Sequence, residues 1–277
     1  MRKLVYILLF AFTLVQSACR REATVEAPKV DPVPVMFSFL SPESSDSRVT
    51  LTMSKPVFGK VINDGYPPIS AANVTITDQN AKTVTLTFDA NKGYYVVDQS
   101  VYPILPGFTY TVSAAWDKYK VTGVTTIPAD VVELDSLKSE ELGETSWGQM
   151  QYQISFKWKD IIGKTNFYRV VLEEVFFQTF GDTVGSGYGD KVYSDKNKDG
   201  AEFSDRMDYY YSDFGPPVTD LTIYLLHTDI HYYEFHRRRI NYFGEDPFSE
   251  PSPQYNNVTN GLGVVASYRK YTQKVKI

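Results

Sequence analysis

The sequence predicts a mainly β protein built from two β-sandwich-like domains, with one helix near the C-terminus. Aromatic residues make up 15% of the 277 residues, with 21 Tyr and 17 Phe, and aromatic and β-branched residues suit a pleated, half-buried surface. Many short segments alternate between apolar and polar residues, and turn-type residues separate these segments. This combination is typical of two antiparallel sheets packed face to face.

The first domain is predicted over residues 35–128. In VTLTM, the side chains of Val49, Leu51 and Met53 alternate with threonines, and NVTITD, TVTLTF and FTYTVS repeat the pattern. The clusters NDGYPP, TDQNAK and DANKG contain the residues that turns prefer. We therefore expect an immunoglobulin-like or transthyretin-like sandwich in this region.

The alternation stops at residues 129–149, which we interpret as a linker, and resumes in a second β-rich domain over 150–277. The strand that opens this domain has its apolar residues at every second position: Met150, Tyr152, Ile154, Phe156 and Trp158. The segment KDIIGKTN then turns the chain into FYRVVLEEVFF, which predicts a hairpin.

One helix is predicted at about residues 230–243, in the segment IHYYEFHRRRINYF. Asp229 stands where an N-cap is expected, because its carboxylate can accept a hydrogen bond from a free amide of the first turn. Gly244 stands where a helix commonly ends.

The N-terminus predicts a lipid anchor at Cys19. Arg2 and Lys3 precede a short apolar run, and small residues lead up to the cysteine, so residues 1–18 have the features of a secretory signal peptide. The apolar run is shorter than the roughly 20 residues that span a bilayer. Cys19 follows as in a bacterial lipobox, and residues 19–34 would form a tether. The alternative is a secreted protein with Cys19 as a free thiol.

Composition limits the classes of function and of site. The single cysteine excludes an intramolecular disulfide and cannot by itself build a thiolate zinc site. The formal net charge of −5 argues against a nucleic-acid partner. Arg20 follows the cysteine, and by analogy with sorting in Gram-negative bacteria this favours the outer membrane. Whether the protein lies on the cell surface or on the periplasmic side of this membrane stays open.

The segment DKNKDG resembles the first half of an EF-hand loop, with Asp195, Asn197 and Asp199 in register. The twelfth position of such a loop should be a bidentate glutamate, but it is Arg206 here. Two interpretations remain: a looser calcium loop that recruits Glu202 or Asp205, or a solvated turn between strands.

Three histidines, His227, His231 and His236, lie within ten residues. They could share a transition metal, although the HExxH pattern is absent, or they could be ordinary hydrogen-bonded imidazoles. The arginines that follow His236 could hold an acidic partner or a phosphate, or form a solvated helical face. We predict no metal or cofactor site from these patterns.

Two further motifs are rejected as catalytic or cofactor signatures. GLGVVA matches the dinucleotide fingerprint, but only eleven residues follow Ala266, which leaves no room for the second strand of a βαβ unit. GSGYG lacks the first glycine of a nucleophile elbow, because Val184 occupies that position. We predict no catalytic residues, so the protein is not expected to be an enzyme.

The C-terminal segment EDPFSEPSPQYNNVTNGLGVVASY resembles the signature of DUF4249, a family of Bacteroidota lipoproteins of unknown function. Glu245 and Asp246 replace the family's usual Gly-Asn, and Val264 and Val265 replace a bulkier pair. The matching residues are Pro247, Phe248, Ser249, Glu250, Pro251, Asn257, Gly261, Leu262, Gly263 and Tyr268.

The resemblance implies an outer-membrane lipoprotein of the kind often encoded beside TonB-dependent receptors, without catalytic or metal residues to carry over. We therefore expect a lipid-anchored, non-catalytic accessory protein of a TonB-dependent transporter, which captures an unknown ligand or covers the barrel mouth. The alternatives are an envelope structural or adhesive protein and, third, a hydrolase. The motif residues are expected to be fold elements, with Phe248 in the core and Leu262 packed between two close backbones.

Overall fold

Strands dominate the protein, as the alternating sequence predicts. The structure is a computed structural model that describes residues 31–54, 67–177, 183–211, 218–240 and 254–277. Along the strand Thr109–Trp116, whose sequence is TYTVSAAW, fully buried side chains stand at every second position over most of its length. The prediction of a mainly β fold with one helix is confirmed for the described residues; the immunoglobulin-like or transthyretin-like detail stays a prediction.

The described residues contain sixteen strands and one helix, α1 (Ile230–Ile240). The strands are β1 (Pro34–Leu40), β2 (Asp46–Met53), β3 (Asn73–Asp78), β4 (Thr83–Thr85), β5 (Thr87–Asp89), β6 (Tyr94–Asp98), β7 (Thr109–Trp116), β8 (Tyr119–Thr126), β9 (Ser136–Glu144), β10 (Met150–Lys159), β11 (Phe167–Phe177), β12 (Thr183–Ser194), β13 (Glu202–Tyr211), β14 (Val218–Thr228), β15 (Val258–Thr259) and β16 (Leu262–Val275).

These strands form three sheets. The largest has the order β12-β11-β14-β16-β1-β2-β6-β5, and the others have the orders β13-β10-β9 and β15-β8-β7-β3-β4. Each smaller sheet packs on part of the large one, because the buried residues of each half come from both layers. The result is a sandwich-like arrangement in each half of the chain.

Strand β16 connects the two halves. Its first part, to Ser267, pairs in parallel with β1. Its second part, from Tyr268 to Val275, pairs antiparallel with β14. One strand therefore belongs to the sheet of both halves, and the predicted domain boundaries at 128 and 150 stay a prediction.

Each half has its own hydrophobic core. The first contains Met36, Leu51 and Val112, and it also includes Val265 from β16. In the second core, Ile154, Phe156 and Trp158 of β10 are fully buried, on the face that the alternation predicts. Burial of such side chains stabilises each by roughly 1.5–3 kcal/mol.

The segment 129–149 was expected to be a linker, but it contains strand β9. This strand pairs antiparallel with β10, with Leu137 opposite Phe156, and Leu134 and Leu137 pack against the second core. β9 has no second partner among the described residues. An edge strand of this kind tolerates exposed charges on its outer side, which is why the run of glutamates conceals it in the sequence.

The helix starts where the sequence predicts. The Oδ1 atom of Asp229 accepts a hydrogen bond from the Tyr232 amide at 2.8 Å, so Asp229 is the N-cap. The helix is described to Ile240, and Gly244 lies outside the described residues. Arginines occupy its last turn, where positive charge complements the helix dipole.

The glycines of the NGLG motif allow β16 to approach β1. A Cβ atom at Gly261 would lie 2.8 Å from the carbonyl oxygen of Pro34, and one at Gly263 would collide with the backbone of Met36. The prediction for Leu262 was wrong, since its side chain is 45% exposed. Leu262 is the first residue of β16, and it lies on the solvent-exposed side of the strand there.

Candidate ligand-binding cleft

An open cleft of about 720 Å³ lies on the face of the large sheet that turns away from the first core. We name it the sheet cleft. Its floor comes from strands β1, β2, β6 and β16, and the turn between β1 and β2 forms one wall. The side chains that matter for its chemistry are Phe37, Phe39, Arg48, Tyr94, Tyr268 and Lys270.

The aromatic floor follows from the alternation in β1. Met36 and Leu40 are buried in the first core, so Phe37 and Phe39 point to the opposite face of the sheet. There the Phe37 ring lies 5.8 Å from that of Phe235 in α1. The Phe39 ring lies 5.5 Å from Tyr232 of the same helix. The helix thus holds these rings in place beside the cleft.

Tyr268 and Tyr94 extend the aromatic surface on either side of β1. The Tyr268 ring lies 5.2 Å from that of Tyr232, so the helix supports it as well. The Tyr94 ring has the Arg48 guanidinium 5.2 Å from its centroid. All these rings sit on hydrogen-bonded strands, which makes the floor of the cleft preorganised.

Two carboxylates of the cleft are neutralised by arginines. Arg48 holds Asp46 through its Nε and Nη2 atoms, at 2.6 and 3.1 Å. Glu43 accepts a hydrogen bond from Nε of Arg269 at 2.7 Å. It also accepts one from the backbone amide of Lys270 at 3.1 Å. Neither carboxylate is left as a free negative charge.

Lys270 gives the cleft a surplus positive charge. Its Nζ atom lies 5.5 Å from the centroid of the Tyr224 ring, and no carboxylate among the described residues pairs with it. Arg48 and Arg269 are each balanced by an acid. The ammonium of Lys270 is therefore the group in the cleft best placed to meet an anion.

The predicted loop DKNKDG lies beside an acid that the sequence analysis missed. Asp160, in the turn after β10, places a carboxylate oxygen within 4.8 Å of oxygens of Asp195 and Asp199. The two acids that the sequence suggested as recruits have other partners: Glu202 pairs with Lys157 at 3.2 Å and Asp205 with Lys191 at 3.0 Å. The KDIIGKTN turn was predicted, but nothing local in the sequence indicates that it meets this loop.

Hydrogen bonds account for most of the cluster's oxygens. Asp160 accepts from the Tyr168 hydroxyl at 2.6 Å and from the Gly200 amide at 2.8 Å. Asp195 accepts a hydrogen bond from the backbone amide of Asn166 at 2.7 Å. Burial, together with the neighbouring carboxylates, raises the pKa of Asp195. The cluster joins two turns, and the two interpretations of this loop, a loose calcium site and a solvated turn, both stay open.

The structure separates the three histidines instead of bringing them to one metal site. The ring of His227 contacts the Asp130 carbonyl and the Asn166 side chain, at 2.8 and 3.1 Å. His231 contacts the Tyr255 hydroxyl at 2.6 Å, and burial lowers the pKa of its imidazole. Among the described residues, the one group with metal-ligand spacing consists of aspartates.

His236 belongs to a buried network that attaches the helix to the sheet. Arg169 forms a two-pronged ion pair with Asp190, at 2.7 and 2.5 Å, and donates to the Tyr232 hydroxyl at 2.7 Å. Burial and the charge of Arg169 lower the pKa of His236 to about 3, so its imidazole is neutral at physiological pH. This network fixes the helix that supports the cleft.

The arginines at the end of the helix have acidic neighbours on the same helix. Arg237 and Arg238 approach Glu234 at 2.7 and 3.6 Å. Their charges are thus partly satisfied by the protein, which agrees with the interpretation as a solvated helical face.

Several predicted features lie outside the described residues. These are the signal peptide 1–18, Cys19, most of the tether and the PFSEP motif from Pro247 to Pro251. In the part of the chain that the structure describes, no helix has both the length and the apolar character that crossing a membrane requires.

Comparison with known proteins identifies the family but not an activity. No curated protein matches the chain. Residues 20–274 match the family described as a domain of unknown function, DUF4249, in agreement with the resemblance of the C-terminal motif. Since the match spans almost the whole chain, the protein belongs to the DUF4249 family.

Proposed function

We propose that this protein is a lipid-anchored, non-catalytic protein of the outer membrane that captures a ligand for a TonB-dependent transporter. The observation that carries the proposal is the sheet cleft, whose volume of about 720 Å³ lies in the range of small-ligand sites. The lipobox-like segment at Cys19 supports the location.

The chemistry of the cleft favours binding over catalysis. Asp46 and Glu43 are held by Arg48 and Arg269, so neither carboxylate is free to contact a reacting group as a catalytic acid or base must. The rings of Phe37, Phe39 and Tyr268 offer apolar contact instead. A preorganised surface of this kind reduces the entropy that is lost when a ligand binds.

The proposed anchor would keep the cleft close to the membrane. A tether over residues 19–34 spans at most about 58 Å when fully extended, and it leads into β1, which forms part of the cleft floor. A ligand bound in the cleft would therefore stay near a transporter in the same membrane, where local concentration favours transfer.

A second candidate function is adhesion within the cell envelope. It is favoured by Trp147, which is 88% exposed in the hairpin between β9 and β10, and by Leu142, which is 47% exposed on β9. Exposed large apolar side chains suit contact with another macromolecule.

The experiment that tests the leading proposal uses the full chain with its own signal in a Bacteroidota host. Wild type and Cys19→Ala are purified from detergent-solubilised outer membrane, with Ser70→Ala, a change at an exposed position outside the signal region, as a matched control. We expect wild type and Ser70→Ala to copurify with a TonB-dependent barrel, and Cys19→Ala to leave the membrane fraction.

Other outcomes separate the two candidates. Recovery of the wild type from the membrane without a barrel would contradict the transporter role, and it would favour adhesion if Trp147→Ala then reduced cell-surface binding. A soluble wild type that Cys19→Ala does not change would overturn the anchor.

A further inference from the structure

We infer that the sheet cleft binds an acidic saccharide, with Lys270 on the sugar carboxylate and the rings of Tyr94 and Tyr268 against the sugar. The inference rests on the proposed function only in treating the cleft as a ligand site. It requires neither the anchor nor the transporter. Three properties of the cleft lead to it: charge, aromatic surface and hydroxyl groups.

Charge selects an anionic ligand. Asp46 and Glu43 are each neutralised by an arginine, so the ammonium of Lys270 leaves the cleft with a surplus positive charge. The Nη1 atom of Arg48 takes no part in that residue's two hydrogen bonds to Asp46, so it can donate to a ligand. A single carboxylate matches this surplus, whereas a doubly charged phosphate is better matched by an arginine fork free of an acidic partner.

The remaining lining suits a polyhydroxylated ligand. Tyr94 and Tyr268 present aromatic surface next to polar groups, and such amphipathic rings pack against ligands that are partly apolar. Ser44, Ser45 and Thr50 also line the cleft, and each hydroxyl can both donate and accept a hydrogen bond. A sugar ring has apolar C–H faces and hydroxyls around its edge, so a uronic-acid saccharide combines all three features.

The volume of the cleft allows more than one sugar unit. The cleft is open along the sheet and contains about 720 Å³ of space. The open form favours a chain that passes across β16, β1, β2 and β6 over a small solute enclosed on all sides. Trisaccharides are therefore suitable probes.

The test measures binding of two matched probes, trigalacturonic acid and galactotriose, to the full chain in detergent by isothermal titration calorimetry. We expect the acidic probe to bind at least about tenfold more tightly than the neutral one. We expect Lys270→Gln to raise the Kd of the acidic probe about tenfold, the equivalent of one charge-assisted hydrogen bond. Lys120→Gln, a change of an exposed lysine outside the cleft, should leave both affinities unchanged.

A second variant tests the aromatic contact. Tyr94→Leu should weaken binding of the acidic probe while leaving its dependence on Lys270 intact, because the ring contacts the sugar and not the carboxylate. Circular dichroism and the thermal midpoint of each variant show that the fold is retained.

Each remaining outcome overturns the inference. Equal affinity for the two probes, an affinity for the acidic probe that Lys270→Gln does not change, or no binding of either probe would each exclude an acidic saccharide. None of these results depends on copurification with a barrel. Failure of the ligand class and failure of the transporter role are thus distinguishable.

Discussion

At the residue scale, the side chain of Asn166, which is 2% exposed, forms four hydrogen bonds. Its Nδ2 atom donates to Asp160 and to the carbonyls of Ile161 and Lys164, at 3.2, 2.7 and 3.1 Å. Its Oδ1 atom faces Nε2 of His227 at 3.1 Å. One buried amide therefore connects the turn after β10 to strand β14.

We expect Asn166→Ala to lower the free energy of unfolding by about 2–4 kcal/mol, because several buried groups lose their partner at once. Chemical denaturation of the full chain measures this change. Asn80→Ala, in an exposed turn, is the matched control and should change stability by less than about 0.5 kcal/mol. A loss at position 166 no larger than that at position 80 would show that the network contributes little.

The orientation of the Asn166 side-chain amide determines which atoms the ring of His227 faces. Because Nδ2 of Asn166 already donates to three oxygens, its Oδ1 must face the ring, and the other ring nitrogen faces the carbonyl oxygen of Asp130. Both ring nitrogens thus meet acceptors, and only the imidazolium can donate to both. Burial lowers the pKa of His227, whereas the Asp130 carbonyl and the charges of Asp130 and Asp160 oppose that effect.

We expect burial to prevail, so that the imidazole of His227 is neutral at pH 7. Long-range ¹H–¹⁵N spectra of the imidazole report this directly, with His227→Gln used to assign the signal. His236, whose pKa is lowered to about 3, supplies the neutral reference in the same spectrum. Protons on both ring nitrogens of His227 at pH 7 would mean that the two hydrogen bonds outweigh desolvation.

At the element scale, Asp229 is the N-cap of α1, and its carboxylate is buried. Burial raises its pKa to about 6, although hydrogen bonds from Thr125 and from the first turn of α1 act in the opposite direction. A raised carboxyl pKa means that the folded state holds the proton more tightly than the unfolded state. The stabilisation is therefore fully present below the ordinary pKa of 3.8 and is lost as pH rises through about 6.

We expect Asp229→Asn to flatten the decline of unfolding free energy between pH 4 and pH 7, because asparagine still caps the helix but does not ionise. Asp229→Ala should cost about 1–2 kcal/mol through loss of the cap. Denaturation curves across this pH range test both, with Asp135→Asn at an exposed position as the control. An unchanged pH profile in Asp229→Asn would place the titration elsewhere.

Strand β16 contains a backbone position that only glycine fits. Gly263 has a φ of 118°, and a Cβ atom at this position would collide with the carbonyl group of Met36. We expect Gly263→Ala to destabilise the protein by about 3 kcal/mol or more, because left-handed strain and a steric clash combine.

Gly163→Ala is the matched control for the clash. Gly163 also has a positive φ, of 83°, but nothing lies within 4 Å of an added Cβ atom. We expect it to cost about 1–2 kcal/mol from strain alone. Equal losses at the two positions, measured by thermal or chemical unfolding, would show that β1 yields to the added methyl group.

At the scale of the whole molecule, the two halves depend on one strand. β16 supplies the parallel partner of β1, and Val258 and Val265 complete the first core from the far end of the chain. The salt bridge from Arg269 to Glu43 joins residues 226 positions apart. The first half therefore lacks part of its sheet and core when the C-terminal residues are missing.

We expect residues 35–128 produced alone to be unstable, because β1 would lose its partner and the core would lose two valines. Dispersion of amide signals in a ¹H–¹⁵N spectrum measures this, and the full chain is the reference. A well-dispersed spectrum for the fragment would instead establish residues 35–128 as an autonomous domain, as the sequence boundaries predict.

The sequence by itself determined the features that depend on neighbouring residues. The alternation in β10 identified Ile154, Phe156 and Trp158 as core residues, because successive strand residues face opposite sides. Asp229 was recognisable as a cap because a cap acts within one helical turn. The family followed from a local motif, and the anchor at Cys19 remains a prediction of the same local kind.

Only the tertiary structure decided which residues from distant parts of the chain come into contact. The pairing of β16 with β1, the meeting of Asp160 with Asp195 and the assembly of the sheet cleft all join residues that are far apart in sequence. Alternation shows which face of a strand is buried, but a period of two residues carries no information about the neighbouring strand. The partner is selected by how whole apolar faces fit together, and in this protein that fit also placed Lys270 beside the aromatic floor of the cleft.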